Sequence, residues 1–170
     1  MNKFEFYSPT KVIFGKDVEQ TVGSEIKKWK GSKVLVHYGG SSAKKSGLLD
    51  RVEASLQKEN IAYVMLGGVQ PNPRLSLVRE GIELCRTTGV DFILGVGGGS
   101  AIDSAKAIAL GVPYEGDIWD LYEGKAAPKT ALPHCNIITL AATGTETSAS
   151  SVITNEDGWL KKGINCDYNR

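Results

Sequence analysis

The most constraining feature of the chain is Asp91-Phe-Ile-Leu-Gly-Val96, an apolar run that passes directly into Gly97-Gly-Gly-Ser100 and then into the breaker-free stretch Ser100 to Leu110. A strand that ends in glycines and continues as a helix is one unit of a chain in which strand and helix alternate, and such units assemble around a mostly parallel sheet. The order of apolar β-branched run, glycines and amphipathic stretch occurs four times. The expected fold class is therefore α/β.

Lys11 to Phe14 reads as a short strand, and Asp17 to Lys30 as a helix with Val18, Val22, Ile26 and Trp29 at helical spacing. Lys33 to Tyr38 predicts a buried strand, closed by Gly39-Gly-Ser-Ser42 and followed by a helix near Ala43 to Glu59. Ile61 to Leu66 predicts another strand. It is broken by Gly67-Gly-Val-Gln-Pro-Asn-Pro73, where two prolines impose an extended turn before a helix through Leu77, Val78, Ile82 and Cys85. Residues 111 to 133, with Pro113, Gly116, Gly124, Pro128 and Pro133, form an irregular stretch that is either functional or ordered by short helices. Asn136 to Leu140 and Ser151 to Thr154 are later strands, with Asn155-Glu-Asp-Gly158 as a hairpin turn. Together these elements predict a Rossmann-like, mostly parallel sheet flanked by helices.

At 170 residues, with 41% hydrophobic and 23% charged residues, the chain has the size and composition of one soluble globular domain. Twenty basic residues face 19 acids for a net charge of +1, so no global field would concentrate the chain on nucleic acid, and no nucleic-acid partner is expected. No stretch approaches the ~18 apolar residues of a membrane span, and the N-terminus lacks the apolar region of a leader peptide. No membrane partner and a cytoplasmic location are expected. Cys85, Cys135 and Cys166 are odd in number and widely spaced, which argues for reduced, structural thiols. His37 falls inside a predicted strand and His134 beside Cys135; neither pairs with another ligand at metal-site spacing, so no metal site is expected within this chain. A nucleophilic triad is equally unsupported, because no G-x-S-x-G elbow occurs.

The glycine turn carries the chemistry. Bare glycines let backbone amides approach a phosphate, and the following helix N-terminus offers unpaired N–H groups with partial positive charge. The turn departs from G-x-G-x-x-G at Ser100, and an alternative reading makes Ser100 a helix cap with Asp103 as its partner, needing no ligand. In a dinucleotide site an acid after the second strand usually holds the ribose 2′-hydroxyl. Here that place reads His37-Tyr-Gly-Gly-Ser-Ser42, without a carboxylate, which leaves room for a 2′-phosphate near Ser41, Ser42, Lys44 or Lys45. NADP(H) is thereby favoured over NAD(H), with an ordinary serine-capped loop as the other reading. Thr139 to Ser148 places hydroxyls and a glycine after a short apolar run, suited to hydrogen-bonding a ligand. Lys161 and Lys162, past the hairpin turn, read as a solvated face.

Five motifs taken together are more specific than any one. Asn2 to Gly15, Tyr38-Gly-Gly40, Gly67 to Pro73, Gly97 to Asp103 and Ala142-Thr-Gly-Thr-Glu-Thr147 resemble, in this order, the iron-containing alcohol dehydrogenase family in its butanol dehydrogenase-like, NADP(H)-dependent branch. The resemblance covers essentially the whole chain but only the N-terminal half of the family's usual length. It implies an α/β dinucleotide-binding domain over residues 1–170, followed in the family by an all-helical metal-binding domain absent from this chain. It also implies that Gly97, Gly98, Gly99, Ser100 and Asp103 form the pyrophosphate turn and that Asn72 contacts the nucleotide. Thr139, Leu140 and Thr143 then lie near the phosphates and nicotinamide, Gly39, Gly40 and Ser41 near the adenosine ribose, and Lys161 on the cofactor rather than in solvent.

On the same resemblance, the full enzyme transfers a hydride between NADP(H) and a primary alcohol or aldehyde, with a divalent metal, iron or zinc, held by an aspartate and three histidines of the helical domain. A homo-oligomer, a dimer, is expected for the full-length form. The end at Gly163 to Arg170 reads as a chain cut short, so this chain alone is expected to be catalytically incomplete. The alternatives are a stand-alone nucleotide-binding or interaction module without catalysis, and a glycerol dehydrogenase-like relative with the same glycine turn.

Overall fold

In the computed structural model, which describes Lys3 and residues 7–170, strands β1 (Lys33–Tyr38), β2 (Ala62–Leu66), β3 (Phe92–Gly97) and β4 (His134–Ile138) form one parallel sheet in the order β2-β1-β3-β4. Met1, Asn2 and Phe4 to Phe6, which carry the start of the N-terminal motif and part of the leader-peptide reading, lie outside the described residues. Register is set by side-chain alternation, since a slip of one residue would exchange the two faces of a strand. Val34 and Val36 of β1 align with Phe92 and Leu94 of β3, and Leu35 aligns with Ile93. The first group packs against α1 (Val22–Lys28) and α3 (Leu48–Lys58); the second packs against α4 (Leu75–Thr88) and α5 (Gly99–Gly111). Both faces are thus covered, which is why β1 and β3 read as unbroken apolar runs.

Local sequence accounts for the element ends. α4 buries Leu75, Val78, Ile82 and Cys85 along one stripe and ends where Gly89 takes φ 71°, the left-handed C-terminal cap that glycine adopts without strain. The helix expected at Ala43 to Glu59 is divided into α2 (Ser41–Lys45) and α3, because Gly47 turns at φ 69° between them. The expected helix at Asp17 to Lys30 is shortened to a 3₁₀ turn at Val18–Thr21 leading into α1. Within the irregular 111–133 stretch lies α6 (Ile118–Tyr122), capped by Asp117, whose carboxylate accepts from the Trp119 amide at 2.8 Å.

Two strand expectations are corrected. Lys11 to Phe14 forms no strand, and Phe14 is 98% exposed; strand propensity there finds no ladder partner among the described residues. The strand expected at Asn136 to Leu140 is instead β4 at His134–Ile138, because Ile93 to Gly97 of β3 pair with those residues. Thr139 and Leu140 therefore fall in the loop beyond the sheet. The hairpin at Asn155 to Gly158 forms as expected, joining antiparallel β5 (Ser150–Asn155) to β6 (Leu160–Asn165) in a separate two-stranded sheet. The Thr154 amide donates to the Pro73 carbonyl at 2.8 Å, which fastens this hairpin to the turn before α4.

Candidate functional site

From β1 the chain moves outward to β2 and then returns across β1 to β3, so strand order reverses between β1 and β3. In open α/β sheets the crevice beyond the carboxyl ends of the strands at such a reversal is where ligands bind. A cleft of about 220 Å³ lies there, lined by Gly39, Gly40, Ser42, Val69 to Pro71, Gly97 to Ala101 and Thr139. Its walls are tied to one another through backbone: the Gly39 amide donates to Val96 O at 3.3 Å and the Thr139 amide to Gly97 O at 2.9 Å. A second hollow of about 200 Å³ lies at Arg79, Glu83, Arg86 and Asp117, but both arginines are already bonded there, Arg79 to Asp117 and Arg86 to the Gly111 and Val112 carbonyls.

The glycines around the cleft differ in what they explain. Gly97 has φ 151°, which side chains rarely adopt, and a Cβ on it would sit 2.8 Å from the Ala101 Cβ. A Cβ on Gly95 would meet Asn136 Oδ1 at 2.6 Å and Ala105 Cβ at 3.0 Å, so this glycine lets α5 lie close on β3. Gly40 and Gly98 have no such cause. Their φ values, −76° and −86°, suit any residue, and a Cβ at either would meet nothing within 4 Å. The fold leaves these positions open, and the open space is the cleft.

The helix start reinforces this geometry. α5 begins at Gly99 after the extended Gly98, and no side chain caps it. The Gly98 carbonyl accepts from the Ala101 and Ile102 amides, and the amides before them have no acceptor within the helix. The Ser100 to Asp103 capping arrangement does not form: the Asp103 carboxylate accepts instead from Thr145 Oγ1. The N-terminus of a 13-residue helix therefore faces the cleft with free donors and partial positive charge.

The remaining expected residues surround this centre. Ser41 is exposed on the first turn of α2, beside cleft-lining Gly40 and Ser42. Asn72, at φ 56° next to cleft-lining Pro71, accepts at Oδ1 from Lys161 Nζ at 2.8 Å, so two residues 89 apart in sequence meet at one edge. Lys162 points instead toward Glu123, at 3.5 Å. Thr143 lies against the glycine turn, since a Cβ on Gly99 would be 2.6 Å from its Oγ1, and Leu140 is 67% exposed. Asp103 is turned away from the cleft lining, and burial pushes its carboxyl above the usual range against the opposing effect of the Thr145 hydroxyl.

One residue escaped sequence reasoning. Lys106 is fully buried on α5, and its ammonium donates to the carbonyls of Thr145, Ser148 at 2.8 Å and Ser150 at 3.1 Å. Burial holds its pKa down to about 8, with Asp103 opposing the shift. A signal for it existed: Ser104 to Leu110 contains this single lysine in an otherwise small and apolar helix, and a helix apolar all round is a buried one.

The histidines behave as structural groups. His37 is fully buried, with Nδ1 3.0 Å from Leu66 O and Nε2 2.7 Å from Ser104 Oγ, and burial lowers its pKa to about 4. Among the described residues no three His, Cys, Asp or Glu side chains come together to hold a metal ion. The described residues do not fit a metal site, whereas the free amides at the cleft suit an anionic group. All three cysteines are free thiols, and burial pushes Cys85 and Cys135 up to about 12. No helix among the described residues is long and apolar enough to cross a membrane.

Fold and crevice together define a class, an α/β domain with an open crevice at the switch point of a parallel sheet. Within that class the chain belongs to the iron-containing alcohol dehydrogenase family, an enzyme family whose model matches residues 9–170. It is 47% identical over 167 residues to NADH-dependent butanol dehydrogenase A of Clostridium acetobutylicum, across 98% of this chain and 43% of that protein. It is 36% identical over 159 residues to the NADPH-dependent aldehyde reductase YqhD of Escherichia coli, across 92% of this chain and 40% of that protein. The crystal structure of NADH-dependent butanol dehydrogenase A from Thermotoga maritima superposes with a TM-score of 0.96 at 47% identity, over 99% of this chain and 42% of that one. The chain thus spans about two fifths of the length of the relatives it matches.

Proposed function

We propose that residues 1–170 form the dinucleotide-binding part of an oxidoreductase acting on a primary alcohol or aldehyde. The observation that carries this reading is the pair Gly40 and Gly98, glycines of negative φ facing open cleft at the free end of α5. The pyrophosphate sits on Gly97 to Ser100, where backbone amides and the helix dipole receive it. Gly39, Gly40 and Ser41 take the adenosine ribose; Asn72 and Lys161 reach the nucleotide from the edge; Thr139, Leu140 and Thr143 flank the phosphates and nicotinamide. Asp103 contributes from behind, through Thr145.

When bound, the nicotinamide supplies or accepts the hydride. What this chain does is hold and orient it. A divalent metal, iron or zinc, and the substrate pocket belong in this reading to an all-helical domain outside residues 1–170, and the full-length enzyme is a homo-oligomer. NADP(H) is favoured over NAD(H) because neither turn on the cleft, Tyr38-Gly-Gly-Ser-Ser42 after β1 nor Gly67 to Pro73 after β2, carries a carboxylate to hold a 2′-hydroxyl or repel a 2′-phosphate. The names of the relatives weigh the other way: the butanol dehydrogenases at 45% to 50% identity are NADH-dependent, and YqhD, at 36%, is NADPH-dependent.

Calorimetric titration of the chain with NADPH and NADH, with and without Gly98→Asp, tests both parts. Gly98 is the better position than Gly99, where a side chain would also displace Thr143. We expect saturable binding, tighter for NADPH, and a loss of at least about 100-fold in Gly98→Asp, roughly 2.7 kcal/mol, at unchanged melting temperature. Equal affinity in the variant would remove the phosphate turn from the site. Tighter NADH binding would reverse the cofactor preference and leave the turn in place.

A further inference from the structure

We propose that Lys106 is a positioning residue: from the buried face of α5 it fixes the turn at 145–150 and thereby holds Thr139, Leu140 and Thr143 over the glycine turn at the head of the same helix. An ammonium has three protons to donate, and here three carbonyls within six residues receive them, those of Thr145 and Ser148 in the loop and of Ser150 at the start of β5. Burying a charge is costly, and an apolar side chain of similar length would fill the same space more cheaply. Thr145 O also accepts from the Ser148 amide at 3.3 Å and Ser150 O from the Thr145 and Ser148 hydroxyls at 3.5 Å; what the lysine adds is one charged group that ties all three carbonyls to α5.

A second residue of α5 grips the same segment. Asp103, one turn before Lys106, accepts from Thr145 Oγ1 through its carboxylate and from Ser151 Oγ at 2.8 Å through its backbone carbonyl. At its other end the loop is pinned where the Thr139 amide donates to Gly97 O. The segment is therefore suspended between two points of a single strand-turn-helix unit, and Thr143 is pressed against Gly99 between them. Because α5 is rigid, the helix whose N-terminus faces the cleft also sets the height of the loop that covers it. The consequence for cofactor affinity rests on the dinucleotide reading; the positioning of the loop does not.

Hydrogen exchange measured by mass spectrometry on the nucleotide-free chain tests the positioning directly. In Lys106→Met, amides of residues 140–149 should exchange about tenfold faster or more, with β1 and β3 unchanged. Lys106→Arg, which restores charged donors, should recover part of that protection. Unchanged loop exchange in Lys106→Met would show that the lysine only fills space, and equal acceleration in β1 and β3 would make it a general core residue; either overturns the proposal. If Lys106→Met does not fold, Thr145→Val, which removes the bond to Asp103, decides on the same readout: faster exchange confined to 140–149 supports the proposal and an unchanged loop overturns it. Dinucleotide titration of the same proteins should show weaker binding by Lys106→Met than by the unmodified chain, and equal binding would sever loop from cofactor. An unmodified chain that binds no dinucleotide would defeat the functional reading alone, since the exchange result stands without it.

Discussion

The parallel sheet and the loop from Thr139 to Ala149 are held by different forces. β1 and β3 are fixed by burial: Val34, Leu35, Val36, Ile93, Leu94 and Val96 are all fully buried, and helices cover both faces. The loop from Thr139 to Ala149 is joined to that core by polar anchors, Lys106 on three carbonyls and Asp103 on Thr145, while the hairpin adds Ser151, bonded to Asp103 and Tyr122, to one fully buried apolar residue, Ile153. Apolar burial is non-directional and tolerates small shifts, whereas a hydrogen-bonded anchor fixes one geometry. The sheet supplies a stable platform, and the anchored segment supplies position over the cleft.

The largest test of that contrast is Leu94→Ala, at the centre of β3. Removing a fully buried leucine should cost about 2–5 kcal/mol in urea denaturation, with sheet and cleft lost in one transition. An early, separate loss of the loop in this variant would show that the two regions unfold independently.

A smaller effect comes from the titration of Lys106. Its pKa is lowered from 10.5 to about 8 in the folded chain, so between those values the unfolded state binds more protons and stability gains from rising pH. The charged and titratable groups that bear on it are Asp103, Glu146 and Cys166. The buried thiols of Cys85 and Cys135 act in the opposite direction above their unfolded pKa, so the measurement is the difference between Lys106→Met and the chain, both carrying Cys166→Ser, in which the contribution of these two thiols cancels. Urea midpoints followed from about pH 8 to 10.5 should move in favour of the protein that keeps Lys106. A constant difference would mean that the ammonium remains charged throughout, held by its carbonyls.

The smallest effect on stability, and the sharpest separation of holding from binding, is expected at the cleft edge. The Lys161–Asn72 bond is exposed, so Lys161→Met should alter stability by no more than about 0.5 kcal/mol. Dinucleotide affinity should nonetheless fall by about tenfold, the usual worth of a hydrogen bond to a charged group. Loss of stability without loss of affinity would make this pair a brace for the hairpin alone.

Legibility in the sequence followed the range of the interaction. The strands at Lys33–Tyr38 and Phe92–Gly97, the glycine turn and the hairpin at Asn155 to Gly158 were readable because each is dictated within about ten residues by periodicity and turn chemistry. Lys11 to Phe14 carries strand-forming residues, yet pairing requires a neighbour that local pattern does not specify. β4 formed two residues earlier than its apolar run implied, because the register of β3 selects His134 as the partner of Ile93. The meeting of Asn72 with Lys161 and the capture of the 145–150 carbonyls by Lys106 are separated in sequence by 89 and 39 to 44 residues.

By itself the sequence determined the alternation of strand and helix, the apolar faces that bury the sheet, and a glycine turn able to receive a phosphate, since steric freedom and side-chain period act locally. Tertiary structure alone decided that this turn opens at the reversal of strand order, that α5 starts uncapped there, and that a lysine of that helix is buried beneath the covering loop. Those outcomes depend on which surfaces meet. A charge enters a core only where carbonyls from a distant segment arrive to receive its protons, and that arrival is a property of the packed chain.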